Sequence, residues 1–350
     1  MLKSIKALAR PLVKRSIITA GLEAASLLNL AGLFEGMRGR GVIFTLHQVR
    51  PAPSGDFQPN DILSVTPEFL DTAIRTLAAQ GYEFIALSDL RTRLASDNMR
   101  PFACFTLDDG YCNNRDHAAP VFRRHGVPYT IFITRGFVEA THSMWWETLE
   151  ALLRQSDKLA IDFSDGPVRL PTVSTADKRL AFEQVAGIVN RSNEAEAVAA
   201  LDRAALATGL DPLQLTRDLT MRADALQSLL ADGLCSYGAH TISHRGLARL
   251  DADEAKEEIR SSAALVREIS GREAIAFAYP YGDQRSVSPR ERAMISASGL
   301  AMAVTTRPGV LTPDMMADMT ALPRISLNGL YQKARYVRAL ASGIPFRLMG

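Results

Sequence analysis

Cysteine is scarce in this sequence. Cys104, Cys112 and Cys235 are the only three, an odd number without metal-finger spacing. That excludes a disulfide-stapled scaffold and a cysteine-based zinc module, and predicts reduced thiols in a cytoplasmic protein. An excess of one charge is lacking too: 40 Lys plus Arg stand against 38 Asp plus Glu, a net of +2, without the basic surplus of a dedicated nucleic-acid binder. There is no internal repeat or low-complexity tract, and the 23 Gly and 17 Pro are dispersed, which excludes collagen-like and wholly disordered chains. What remains is 350 residues, 47% of them hydrophobic. This is enough for two ordinary domains or one large α/β barrel.

The small charge surplus is unevenly placed. Residues 1–50 hold eight basic residues against Glu23 and Glu35, whereas the remainder carries 32 basic and 36 acidic residues, a net of −4. A basic start followed by the fairly apolar stretch 16–34 resembles a secretory leader in outline only. Its basic region is too long, Glu23 and Asn29 interrupt the apolar run, and no clean small-residue cleavage site follows. The expectation is a basic helical segment over residues 1–40, packed on the domain or lying on an anionic membrane surface. The protein is accordingly expected in the cytoplasm, with possible peripheral contact at the inner membrane face.

From residue 41 onward, apolar strand-like runs alternate with helix-period segments, the pattern of a parallel α/β fold. The runs fall at 41–47, 82–87, 102–108, 128–134, 235–240, 274–279 and 301–305. Thr66 and Pro67 supply an N-cap and first helical position for one helix, and Asp251 opens another that Gly271 stops. A closing helix is expected over 329–341. Residues 145–230 break the alternation with a long Ala-, Leu-, Glu- and Arg-rich stretch, read as a mainly helical insertion with one Pro/Gly break at 164–173. Residues 41–350 thus form one catalytic domain carrying that insertion.

Active sites in such folds gather at the carboxyl ends of parallel strands, and three polar clusters stand there. Asp108 and Asp109 follow the run 102–108. Adjacent carboxylates are costly without a compensating cation or donors, although an Asp-Gly turn with solvated carboxylates is an alternative reading. His240 and His244, four apart, can share a face and bind a divalent ion, or can serve as a cap and a buried hydrogen-bonding group. Two histidines and a carboxylate together make an open three-ligand hydrolytic site, leaving the second carboxylate free to act as base. Tyr279, Pro280 and Tyr281 end an aromatic strand, and Trp145 and Trp146 are the only tryptophans. Both sets are candidates for a sugar-binding wall or for core packing.

Taken in order, Phe105-Thr106-Leu107-Asp108-Asp109-Gly110-Tyr111, His240-Thr241-Ile242-Ser243-His244 and Phe277-Ala278-Tyr279-Pro280-Tyr281-Gly282 resemble the first three motifs of the polysaccharide deacetylases of carbohydrate esterase family 4. The likeness spans about residues 41–310, with the insertion outside the shared core. It implies a distorted (β/α) barrel, a divalent metal, most often zinc, held by Asp109, His240 and His244, and Asp108 as general base. It also implies the Tyr111 backbone N–H as an oxyanion donor. The sequence departs from the pattern at two places. The late Leu-x-His motif that supplies the acid is missing, since no histidine follows His244. His47, at the end of the first strand-like run, resembles the acid of the permuted branch, which includes the biofilm poly-N-acetylglucosamine deacetylases. Where many relatives carry an arginine that orients the base, this chain has Ala278, and Arg324 is the nearest substitute.

The implied reaction is metal-assisted hydrolysis of N-acetyl groups on a glucosamine-containing oligo- or polysaccharide. O-acetyl ester or non-sugar amide hydrolysis with the same groups, or glycan binding without turnover, are the alternatives. The implied partners are an acetylated glycan and no nucleic acid, and the expected substrates are cytoplasmic oligosaccharides or lipid-linked precursors.

Overall fold

The computed structural model describes residues 2–31 and 35–348; the side chains of residues 2–14, 35 and 348 lie outside the description. Lys3, Lys6, Arg10 and Lys14 fall among these, and with them the expected membrane contact. Eight parallel strands form the body: β1 Gly41–Leu46, β2 Glu83–Phe84, β3 Phe102–Asp108, β4 Tyr129–Ile133, β5 Cys235–Ala239, β6 Ala276–Ala278, β7 Met302–Val304 and β8 Ile325–Ser326. Their order is β7-β6-β5-β4-β3-β1-β8, with β2 alongside the start of β3. The sheet curls until Val304 and Leu322 meet in a single parallel bridge, giving the distorted barrel expected from the sequence.

Strand parity sorts the side chains, because successive residues point to opposite faces. Ile43, Cys104, Phe132, Ala276, Ala278 and Val304 fill the barrel interior, while Phe44, Phe105, Leu107, Ile131 and Phe277 pack outward against the helices. Cys104 lies two residues before Thr106 and four before Asp108, so the inward row of β3 passes from apolar packing to polar chemistry at its carboxyl end. The cysteines are unpaired, and Cys104 and Cys235 are buried.

The helices that bear on the site are α1 Leu2–Leu30, α2 Pro67–Ala79, α3 Trp145–Gln155, α4 Glu194–Leu206, α5 Ala252–Ser270 and α6 Ala334–Ala341. The Thr66 hydroxyl accepts from the Phe69 N–H, with Pro67 in the first turn of α2. Asp251 accepts from the N–H groups of Asp253 and Glu254, and Gly271 ends α5 at φ +69°, a conformation that favours glycine. The basic segment is a helix that packs on the domain: Leu22, Ala25 and Ser26 are buried, and Glu23 pairs with Arg335 and accepts from the Tyr336 hydroxyl. Among the described residues no helix is long and apolar enough to cross a membrane.

Three expectations are corrected. The insertion contains an antiparallel hairpin, Lys158–Phe163 with Gly166–Pro171, whose alternating burial seats Leu159, Ile161 and Phe163 on α4 and its neighbours. The run 82–87 pairs only at Glu83 and Phe84 before turning at Leu87–Asp89. The closing helix begins at Ala334 rather than 329, because Asn328 caps a turn through the Leu330 N–H.

Candidate metal centre

The chain leaves β3 through two consecutive left-handed residues, Asp109 at φ +73° and Gly110 at φ +72°. This turn places two successive carboxylates at the mouth of the barrel, where both are almost fully buried. Thr241 at φ +66° and His244 at φ +59° wind the segment after β5 so that both histidines face Asp109. The Asp109 Oδ1 atom is 3.3 Å from His244 Nε2 and 3.6 Å from His240 Nε2, and the three ligating atoms all lie within 4.8 Å of one another.

The electrostatics of this trio fit a divalent cation. Burial raises the Asp109 carboxyl well above its ordinary range, and the charges of Asp108 and Glu147 add to the rise. Its Oδ1 is buried and accepts no hydrogen bond among the described residues. A carboxylate so placed is unfavourable unless a cation or donors meet it. Burial also lowers both imidazoles, and for His244 the neighbouring His240 adds to the effect. Neutral imidazole is the ligating form. The His240 Nδ1 lies 2.7 Å from the Ala278 carbonyl, which can only accept, so Nδ1 carries the proton and the Nε2 lone pair faces Asp109.

Asp108 has the opposite environment. Burial alone would raise its carboxyl, but the Arg324 guanidinium outweighs burial and holds it below the ordinary range. The pairing is bidentate, Nη1 to Oδ1 and Nη2 to Oδ2, each 2.7 Å. Arg324 is anchored by the Thr305 carbonyl at 2.9 Å and the Thr106 hydroxyl at 3.1 Å, and its side chain is fully buried. It reaches the base from the position just before β8, not from the place of Ala278 on β6. His47 Nε2 lies 4.0 Å from Asp108 Oδ2, and 24% of the His47 side chain is exposed, making it the solvent-facing member of the group. Burial draws its imidazole down to about 4, against the pull of Asp108. The Asn114 side chain donates to the His47 carbonyl at 2.7 Å and fixes the backbone there.

The sequence-predicted aromatics divide. Tyr279 lies in the core, 1% exposed, its hydroxyl donating to the Thr320 carbonyl; this corrects its expected place on a substrate wall, since strand parity turns it outward with Phe277. Pro280 is buried beside it. Trp145, Trp146 and Tyr281 stay near the site as parts of two relays. Trp146 Nε1–H donates to the Tyr111 hydroxyl, which donates to Glu147. Trp145 Nε1–H donates to the Tyr281 hydroxyl, which donates to Glu194 on α4. Tyr281 meets the His244 ring edge-on at 5.4 Å. Both tryptophans line a cavity of about 630 Å³ between the insertion and the segment carrying His244. An antiparallel bridge joins Tyr111 to Thr220 through the Met221 N–H and the Gly110 carbonyl, a pairing that does not use the Tyr111 N–H.

Sequence reasoning missed two carboxylates. Glu258, buried on α5, accepts from the N–H groups of Ile242 (2.6 Å) and Ser243 (3.0 Å) and from the Ser243 hydroxyl, gripping the segment between the two histidines. Glu194 accepts from Tyr281 and also takes the Gly246 N–H and Arg249. Neither belongs to a local motif, so only the fold brings them to the site.

A family model described as polysaccharide deacetylase matches residues 96–300. Among solved structures, the Streptococcus pyogenes deacetylase PplD, in complex with acetate, is 13% identical and aligns over 82% of this chain and 92% of its own, with a TM-score of 0.53. IcaB from Ammonifex degensii is 17% identical over 86% of this chain and 97% of its own, also at 0.53. BC0361, a polysaccharide deacetylase from Bacillus cereus, is 15% identical over 85% and 68%, at 0.52. At such identities the likeness is one of fold. Among curated proteins none matches the chain.

Proposed function

The chain belongs to the polysaccharide deacetylase family, and from that premise we propose that it removes N-acetyl groups from a glucosamine-containing glycan with Asp108 as base and His47 as acid. The observation that carries this reading is the pairing of opposite environments at Asp108 and Asp109. One carboxylate is neutralised by Arg324 and kept ionised, while its neighbour is left uncompensated beside two neutral imidazoles. The first is thereby kept ready to accept a proton, and the second is left for a cation to compensate.

Asp109, His240 and His244 would hold a divalent ion, zinc by the chemistry of one carboxylate and two imidazoles. Such an ion, when bound, supplies Lewis acidity and a water ionisable near neutral pH. Asp108, held in place by Arg324 through two hydrogen bonds, takes the proton of the attacking water. The Tyr111 N–H is a fixed donor for the oxygen that gains charge in the tetrahedral transition state. His47, neutral at rest because burial lowers its imidazole to about 4, takes over the water proton from Asp108, 4.0 Å away, and passes it to the departing amine nitrogen, without which an amide leaves poorly. Trp145 and Trp146, which line the cavity beside His244, bound the space read as the sugar side. We place it in the cytoplasm, where its three unpaired cysteines would stay reduced.

The test is acetate release from a panel of N- and O-acetylated saccharides by metal-loaded protein. N-acetylglucosamine oligomers are the expected substrates. Asp108→Asn should reduce turnover by roughly 10²–10⁴-fold, the usual worth of a general base, while its bound metal stays stoichiometric. Near-normal amide turnover by Asp108→Asn would refute the assignment.

A further inference from the structure

Helix α1 is fastened to α6 in one direction only. Glu23 meets Arg335 and Tyr336 in the first turn of α6, and further along Ala25 packs with Ala339 and Ile344. The two helices therefore run parallel. The chain enters α6 from the carboxyl end of β8, the end that carries Asp108, Asp109 and His47. At its far end α6 meets Tyr82, which precedes β2, through a hydrogen bond to the Ala341 carbonyl. Following α1 backward from Glu23 therefore leads toward the catalytic mouth and past it. Arg15 lies eight residues before Glu23, about 12 Å higher at 1.5 Å per residue, and its charge is felt at Asp61 and Tyr331 on that rim.

The residues that begin at this level have a distinctive composition. Lys3, Lys6, Arg10, Lys14 and Arg15 are interleaved with Leu2, Ile5, Leu8, Leu12 and Val13, and no acidic residue occurs before Glu23. Residues 16–37 contain no Lys or Arg, so every basic residue of the helix precedes Ser16 in sequence. Ile17 and Ile62 are exposed at this end, at 67% and 52%, as Leu27 and Leu30 are at the other end of α1, so it is the basic charge and not the apolar exposure that distinguishes the two ends. A basic, apolar-interleaved segment adsorbs to anionic lipid, each basic residue near the surface contributing about 1 kcal/mol.

We propose that the N-terminal segment docks this enzyme on an anionic bilayer with the catalytic mouth turned toward the lipid, so that its acetylated saccharide is one carried by a membrane anchor. This rests on the deacetylase reading and deepens it by naming the substrate class. The geometry joins what are otherwise separate properties: the direction that α1 takes along α6 makes the lipid-facing end of the protein and its catalytic end the same.

The experiment uses the full chain and its Lys3→Glu/Lys6→Glu/Arg10→Glu/Lys14→Glu variant. Co-sedimentation is measured with vesicles of pure phosphatidylcholine and of phosphatidylcholine with phosphatidylglycerol. Partition to the anionic vesicles should be stronger by about tenfold or more, fall with salt and be lost in the variant. Orientation is read with an environment-sensitive fluorophore on Ile62→Cys or Met99→Cys, in a chain carrying Cys112→Ser. Met99 is 70% exposed and precedes β3, at the end of the barrel opposite the site. The Ile62 label should blue-shift on anionic vesicles and the Met99 label should not. Turnover of an N-acetylglucosaminyl lipid in these vesicles should fall in the variant by the same factor as partition, while turnover of a soluble oligosaccharide is unchanged. Equal partition to both vesicles, a shift at Met99 instead of Ile62, or a parallel loss of soluble turnover overturns the proposal. Anionic binding in the correct orientation with no acetate released from any saccharide refutes the deacetylase reading and leaves the docking standing.

Discussion

Removing the Glu258 carboxylate should loosen metal binding without touching a ligand. Its Oε2 accepts the Ile242 and Ser243 N–H groups, and its Oε1 faces the Ser243 hydroxyl and Arg245. In Glu258→Ala both N–H groups lose their acceptor in a partly buried setting. At about 1–3 kcal/mol for each orphaned group, and with partial repair by water, the expected loss of stability is about 3 kcal/mol. The segment it grips holds Thr241 and His244 in left-handed conformations that cost of order 1 kcal/mol or more each. Release lets them relax and moves His244 away from Asp109. Support of this kind is worth about 10–100-fold in metal affinity. Glu258→Gln retains an oxygen for both N–H groups and should keep most of the stability and affinity. The assay is zinc or cobalt titration against a chromophoric competitor, paired with urea unfolding in chelator so that stability is compared metal-free. A Glu258→Ala protein that is destabilised yet binds metal like the parent would refute the reasoning, showing that the Thr241 hydroxyl, which accepts from the His244 N–H at 2.9 Å, suffices to hold the segment.

Other outcomes follow from the same geometry. Arg324→Met should destabilise the fold by about 3–5 kcal/mol, because it strands Asp108 as a buried charge, and adding Asp108→Asn should recover part of the loss in chemical denaturation. Burial, reinforced by Glu150, raises the Glu147 carboxyl to about 7 from an ordinary 4.5. The folded state then holds a proton that the unfolded state releases, so stability is highest below about pH 4.5 for this group and declines as pH rises through 7, by up to about 3 kcal/mol. Glu147→Gln should flatten that part of the stability profile. Chelation should lower the melting temperature of metal-loaded protein, by the equivalent of about 2.7 kcal/mol where free metal stood at a hundred times Kd, and should leave His240→Ala unmoved.

The parts of the site legible in the sequence are those written locally. Asp108, Asp109, His240 and His244 sit at the ends of apolar runs, and strand ends are where such folds place chemistry. His47 stood out by its place at a strand end, and as the acid only through the likeness to the permuted branch. Arg324 was visible only as a weak substitute for a missing arginine, since its distance from Asp108 is 216 positions in sequence and nothing local marks it. Glu258 and Glu194 lie on amphipathic helices where a glutamate ordinarily faces water, so no pattern distinguishes them. Tyr279 failed for a different reason. Its motif placed it beside the site in sequence, and the two-residue alternation of the strand turned it into the core. The hairpin at 158–171 was hidden because its Pro and Gly read as a break between helices, although Leu159, Ile161 and Phe163 alternate as a strand should.

The pairing of β8 with β1 has a consequence for synthesis. His47 follows the first strand of the barrel, and Arg324 enters just before the last, yet both reach Asp108 because those strands close on each other. A chain emerging from the ribosome displays every motif of the metal centre long before it displays the arginine. Until about residue 327 has cleared the exit tunnel, Asp108 and Asp109 face each other without their guanidinium, and the first strand lacks its partner. The closing step that gives the first strand its second neighbour is therefore also the step that brings the guanidinium to Asp108.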